Sequence, residues 1–460
     1  MSVEQGKRVA ADVKACQELA ERMLNLALRA GADGAEVLVR DGAELQVKVR
    51  MGEPELVKEA GSRGLGLRVL KENRAAVTYT SDFDAQAMQS FAKESVELCR
   101  LAESEPLAAL PDREEMAREI PDLDLWDDSV LSFDVAEAMR WTKSGEQAAL
   151  KFDPRVVNSE GSAAGRGVAA VAFATSAGLS AAYRASSVSL VVEPVCDDSL
   201  GKKRNGHYYT SSRFVSGLRN AEEVGIEAAR RTVAKVGSRK VATCQVPAVF
   251  SPEAGRSLLG QFAGVLSGGA VWRKSSYLAE REGTAVASPL VTIVDDPLLP
   301  RAPGSRPFDG EGLAVRPNVI VSEGVLRTFL CDVYSARKLG RRSTASAGRG
   351  IGGGPHVTTS NFILRPGKIS AAEAANVAEG FYVTDLMGFG FNPVTGDFSQ
   401  GAAGFWIEKG ERAFPVSEVT ISVNFDDLWK GIDAVADDPD TRSSVQCPTF
   451  RVARVTVAGT

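Results

Sequence analysis

Strand-forming runs come in blocks along this chain, not one by one between helices. That order argues for an α+β architecture and against repeated βαβ units. The first block shows it. Leu19, Met23, Leu26, Ala27 and Ala30 recur at spacings of three and four, which predicts a helix over Val9 to Ala30, ended by Gly31. AEVLVR (35–40) and LQVKVR (45–50) then alternate in polarity, the mark of half-buried strands. GLGLRVL (64–70) and AAVTYT (75–80) flank KENR as a hairpin, and Asp82 is placed to cap a helix running to about Leu101.

A Pro-, Asp- and Glu-rich stretch over 103–129 reads as an extended connection. Beyond it, a helix is expected from about Asp134 to Leu150. Strand-like runs follow at VVNSEG, VAAVAFATS, LSAAYRAS and SVSLVVEPV, then a helix over Ala221 to Val236. After Val241 the pattern changes. One helix around Ala254 to Leu266 precedes many short apolar runs separated by Gly and Pro, which predicts a mostly β domain of sandwich or barrel type. A chain of 460 residues exceeds one ordinary core. The reading is therefore an N-terminal α+β domain with linker (1–125), a middle α+β domain (126–240) and a β-rich C-terminal domain (241–460).

Charge and composition narrow the function classes. The net charge is −5, which disfavours a broad attraction to nucleic acid. The one basic cluster, Gly201 to Arg204 (GKKR), reads as a solvated turn. The N-terminus has no basic segment leading into an apolar run, and no window is long and apolar enough to span a bilayer. A cytoplasmic protein without a membrane partner is expected. Six cysteines are scattered, the closest pair 48 residues apart, and read as reduced thiols. Only two histidines occur, His207 and His356, so chemistry needing several imidazoles is excluded.

Individual motifs are weak. GRGIGGGP (348–355) has five glycines, but no Lys-Ser/Thr follows it as a phosphate loop requires. A mobile surface loop is the expected reading, with a flap over a peptide as the alternative. Neither histidine sits beside a nucleophile elbow. The acidic pairs Asp295-Asp296, Asp309 with Glu311, and Asp426-Asp427 lack calcium-loop spacing and suit turns and caps.

Several segments taken together are specific: SPEAGRSLLGQFAGVLSGGAVWRKSSYL from Ser251, VTIVDDP from Val291, RPFDGEG from Arg306, GVLRTFLCDVYSARKLG from Gly324, NPVTGDFSQGAAGFWIEKGE from Asn392, and the closing PTFRVARVTVAG. With GADGAEVLVRDGAELQVKV and GLGLRV near the start, they resemble the PmbA/TldD family, historically called modulators of DNA gyrase. The resemblance implies two branches. One carries HExxxH on the helix at the start of the C-terminal domain. Its imidazoles and a later Cys hold a metal, and its Glu serves as general base. The other branch lacks these groups and pairs with the first.

This chain resembles the second branch. Its matching stretch is Gly260-Gln261-Phe262-Ala263-Gly264-Val265. Gly260 and Val265 stand where the two His ligands would be, and neither offers a lone pair. Gln261 stands at the Glu, and a neutral amide cannot take a proton from water. Cys447 directly precedes PTFRV, later than the family's ligand, and reads as a structural thiol. Residues five apart lie about 140° apart on an ideal helix, so the active branch must distort or end its helix there; Gly264 is the candidate position.

The resemblance implies a metal-free, non-catalytic subunit that binds no cofactor itself. Its partner would be a TldD-like subunit bearing HExxxH, or a second copy of itself, and its substrates peptides for proteolysis or peptide maturation. Asn392, Thr395, Asp397 and Ser399 are candidates to line a peptide groove, with hairpin-turn chemistry as the alternative. Two other functions stay open: a homodimeric peptide- or protein-binding module, and a hydrolase of unrecognised chemistry using His356.

Overall fold

A computed structural model describes residues 12–459; the expected helix start at Val9 lies outside them. Helix α1 (Val13–Arg29) buries Cys16, Leu19, Ala20, Met23 and Ala27. It leads into β1 (Gly34–Arg50), β2 (Glu53–Lys71) and β3 (Arg74–Thr80). The β2–β3 turn holds Glu72 and Asn73 at φ of 51° and 59°, the left-handed pair that a tight hairpin needs. Helix α2 (Ala85–Arg100) is capped by Asp84, which accepts from Gln86 N and Ala87 N. The expected cap, Asp82, instead accepts from Asp84 N and shapes the preceding turn.

Two more helices flank the second block: α3 (Val135–Phe152), capped by Asp134, and α4 (Ala221–Val233), capped by Asn220. Between them run β4 (Val156–Thr175), β5 (Leu179–Asp197), β6 (Lys203–Asn205) and β7 (Tyr208–Ser212). All seven strands form one antiparallel sheet in the order β3-β2-β1-β4-β5-β6, with β7 also on β5. The sheet therefore runs unbroken across residue 125, because β1 pairs directly with β4.

Period-two alternation explains how the sheet serves two layers. Val37 and Val39 of β1 face α1 and α2, while Leu45 and Val47, on the same side further along, face α3 and α4. Leu38, on the other side, packs with Phe173 of β4 and with Phe308 and Leu313 of the C-terminal region. Helices α3 and α4 meet at glycines: a Cβ on Gly225 would come within 2.0 Å of Gly145 O.

The C-terminal region is mostly β. It opens with β8 (Cys244–Phe250), α5 (Pro252–Val265) and α6 (Gly268–Trp272). Next come β9 (Ile293–Asp295), β10 (Asn318–Ser322), β11 (Val325–Leu326) and α7 (Val333–Lys338). A small hairpin of β12 (Ala347–Gly348) and β13 (His356–Val357) carries the Gly-rich loop. Then follow β14 (Phe362–Leu364), α8 (Ala371–Ala374), β15 (Glu379–Met387), β16 (Asp397–Glu408) and β17 (Glu411–Asn424). The chain ends with α9 (Phe425–Lys430), β18 (Ile432–Val435), β19 (Val445–Gln446) and β20 (Phe450–Ala458).

One sheet runs β17-β16-β15-β8-β20-β18, and a further β17–β20 pairing closes it into a barrel with β18 on its edge. A second sheet runs β11-β10-β9-β14-β19. Phe250, Phe262, Phe381, Phe425, Trp429 and Phe450 fill the core between α5 and these sheets. The architecture is thus α+β with a barrel-and-sheet C-terminal domain. Among the described residues no helix is long and apolar enough to cross a membrane.

Asp295, on β9, is 1% exposed and accepts a 2.7 Å bond from Ser360 N. Burial lifts its carboxyl from 3.8 to about 6. A raised acid binds more protons folded than unfolded, so its contribution falls as pH climbs from about 4 through about 6. Asp295→Asn removes that titration. The stability of the Asn protein relative to wild type is expected to rise by about 2.4 kcal/mol between pH 4 and pH 8. Urea denaturation at both pH values checks this; a difference that does not change with pH would refute it.

Candidate functional site

The stretch Gly260 to Val265 lies in the last turns of α5, which starts at a Ser251 cap with Pro252 in its first turn. The helix is regular through Gly264. It closes immediately after Val265, where Leu266 N donates to Phe262 O and Ala263 O at 3.3 and 3.2 Å. The two outer positions diverge as helical geometry requires. Gly260 is exposed, with open space where a Cβ would be, and Val265 is 0% exposed in the core. Gln261 donates from Nε2 to Gln400 Oε1 at 3.4 Å, and Gln400 in turn donates to Gly388 O. Cys447 is fully buried against the start of the helix, 2.8 Å from where a Cβ on Gly255 would lie, and burial pushes its thiol well above the usual range.

These residues do not fit a metal ion. Gly260 and Val265 have no side-chain donor atom, Gln261 is tied to Gln400, and Cys447 sits about a turn and a half toward the N-terminus of the helix. Among the described residues no three His, Cys, Asp or Glu side chains gather as a metal site would need.

The exposed face of α5 instead borders a cleft. Its first turn, Ser251 to Glu253, forms part of the wall of a cavity of about 1060 Å³ between α4, β7 and the C-terminal barrel. A smaller hollow of about 400 Å³ continues along Ala254, Arg256 and Ser257. Gly260, Gln261 and Gly264 extend that face at spacings of three and four. Glu253 anchors the wall: it accepts from Arg231 and Arg442 at 2.9 Å each. Arg442 also grips Asp440 with two 2.8 Å bonds and lies 4.7 and 4.4 Å from the ring centroids of Tyr208 and Tyr209. Despite its burial, the Glu253 carboxyl is held low by these guanidiniums.

The other sequence candidates fall elsewhere. Asn392, Thr395, Asp397 and Ser399 come together at the exposed β16 end, and none lines the cleft. Asn392 Oδ1 accepts from Val394 N, Thr395 Oγ1 donates to Asp397 Oδ2, and Ser399 bonds to Ser422 across the strands. His207 is exposed at the cleft rim. His356 is exposed on β13, its ring 3.5 Å from Gly354 O. The Gly-rich loop is not free. It lies on β2, where a Cβ on Gly66 would come within 2.2 Å of Ile351 O, and its Arg349 reaches Glu36 at 2.8 Å.

The acidic pairs have structural partners. Asp309 accepts from Glu311 N, Leu313 N and Ala347 N, Asp296 accepts from Leu298 N, and Asp426 pairs with Arg281 and Lys430. The GKKR cations are neutralised by Glu418, Asp197 and Asp198. Sequence reasoning missed the cleft arginines. Their only local signal was the adjacent pair Arg230-Arg231 near the end of α4.

Three domain models of the PmbA/TldA metallopeptidases match: domain 1 over 35–99, the central domain over 128–236 and the C-terminal domain over 243–459. The chain is 34% identical to "Metalloprotease PmbA" of Escherichia coli O157:H7, over 98% of this chain and 99% of that one. The chain belongs to the PmbA/TldD metallopeptidase family. A Haemophilus influenzae PmbA homolog is 33% identical, covering 95% of this chain and 94% of its own. Among solved structures, a putative modulator of DNA gyrase from Bacteroides thetaiotaomicron superposes with a TM-score of 0.90 at 27% identity, covering 96% of this chain and 98% of its own. TldE from Thermococcus kodakarensis shares the fold, with a TM-score of 0.85 at 21% identity over 96% of this chain and all of its own.

Proposed function

We propose that this member of a protease family is a metal-free, non-catalytic subunit, cytoplasmic, that works with a TldD-like HExxxH-bearing partner in proteolysis or peptide maturation. One observation carries the reading. At the helix positions where a family protease would hold its metal, this chain presents bare space at Gly260 and buries an aliphatic side chain at Val265. Gln261 between them is an amide, which neither ligates strongly nor accepts a proton at neutral pH. No hydrolytic step is assigned to this chain.

Its contribution is shape. The cleft beside α5 leads along the exposed helix face toward Gly260, about 10 Å from Glu253 by helical rise. A chamber wall built this way orients a peptide toward a metal held by another subunit. Positioning of that kind raises the rate without any reacting group of its own.

The test is metal content and activity together. The untagged chain is expected to retain less than one equivalent of transition metal and to leave peptides uncut. Cleavage is expected only after an HExxxH-bearing relative is added and co-purifies with it. Full metal occupancy in the isolated chain refutes the proposal. So does cleavage by it alone, which loss on His356→Ala would trace to a different chemistry. A homodimer with no affinity for that relative would favour a binding module.

A further inference from the structure

The cleft is basic in an acidic protein. Seven Arg or Lys side chains line it against four Asp or Glu, while the whole chain carries −5. The cations divide into two kinds. Arg231 and Arg442 hold Glu253, Arg230 holds Glu227, Lys235 holds Asp385 and Arg301 holds Asp124. Arg219 and Arg412 are different: among the described residues neither has a carboxylate within salt-bridge distance.

Each of these two lies over an aromatic ring. Arg412 sits 3.6 Å from the centroid of Tyr382, with Phe405 at 5.7 Å; Arg219 sits 5.7 Å from Tyr208. Both residues are exposed. A stacked guanidinium keeps its N–H edge free for a bidentate acceptor while the ring restricts its motion. Tyr208 is on β7 of the central region and Tyr382 on β15 of the barrel. The two open cations therefore come from separate domains and share one cavity.

We infer that this cleft binds an acidic peptide segment, its carboxylates taken by Arg219 and Arg412. The inference rests on the peptide-chamber reading and names its substrate class. Charge complementarity identifies the occupant, and the lining carboxylates distinguish a peptide from nucleic acid. Asp438, held by Thr449 N and Oγ1 without a cation, would repel a continuous phosphate backbone. A peptide can place its acids at two points and neutral residues between them. The cavity, at about 1060 Å³, is at the upper end of the small-molecule range and takes several residues.

The experiment is fluorescence anisotropy on the purified full chain. The probes are a labelled peptide alternating Glu with Gly, its Gln counterpart, and a short single-stranded oligonucleotide. The Glu peptide is expected to bind at least about tenfold more tightly than the Gln peptide, and less tightly as salt is added. Arg219→Gln and Arg412→Gln are each expected to weaken the Glu peptide several-fold. The double variant should bring it to the Gln level, with an unchanged melting transition. Equal binding of the two peptides overturns the acidic preference and leaves the chamber reading standing. No binding of either overturns both. Tighter binding of the oligonucleotide, or Glu-peptide affinity untouched in the double variant, also overturns the inference.

Discussion

Glu36→Ala is expected to destabilise the fold by about 3–5 kcal/mol. Glu36 is 0% exposed on the side of β1 that faces the C-terminal region. Its Oε2 accepts from Arg68 Nη1 at 2.9 Å, directly across the β1–β2 ladder, and from Arg349 Nη1 at 2.8 Å. Both guanidiniums are buried, with side chains 7% and 2% exposed. Deleting the carboxylate leaves two like charges facing each other out of water, a loss larger than that of the contacts themselves. Arg349 belongs to the Gly-rich loop, so the loop should lift from Gly66 as the arginine seeks solvent. Urea denaturation gives the energy, and hydrogen exchange over 349–355 reports the loop. A loss under about 1 kcal/mol, the range of exposed pairs, would show that this triad is hydrated.

Trp429→Ala should cost a similar amount, about 3–5 kcal/mol, for a different reason. Trp429 is fully buried on α9, a helix of only six residues. Its indole packs 4.5 Å from the ring of Phe262 on α5, with Phe450 at 6.1 Å and Phe425 edge-on at 6.4 Å. Removing it opens a cavity under the helix that carries Gly260 and Gln261, and rigid barrel strands limit its collapse. Trp429→Phe should lose less than half as much: it keeps an aromatic surface, and indole Nε1 has no hydrogen-bond partner to forfeit. Denaturant melts of both variants check the ranking. A Trp429→Ala protein as stable as Trp429→Phe would contradict it.

The fold was legible where local periodicity governs. Helices near 135–152 and 221–233 and the Glu72-Asn73 hairpin follow from spacing, caps and turn residues. Strand lengths did not follow. The runs 35–40 and 45–50 are one strand, because Asp41-Gly42 resembles a turn but is paired on both sides, with Arg63-Ser62 and with Ala170-Ala169. Gly42 is there for close approach: a Cβ would come within 3.0 Å of Val168 O. The runs read as four strands between 156 and 195 are two, joined at Gly178, whose φ is +113°. A glycine in a strand and a glycine in a turn look alike until the flanking strands are placed. The Gly-rich loop misled likewise, since its freedom was removed by glycines nearly three hundred residues earlier.

Side-chain chemistry is local, so Gly260, Gln261 and Val265 supply no imidazole and no carboxylate at their own positions, whatever shape the chain takes. Direction and company are not local. That Val265 points into the core while Gly260 opens outward, that Glu36 meets Arg349 across more than three hundred residues, and that Arg219 and Arg412 share one cleft were decided by tertiary structure. The physical reason is that burial and charge pairing depend on which distant segments pack together, and no short stretch of sequence contains that information.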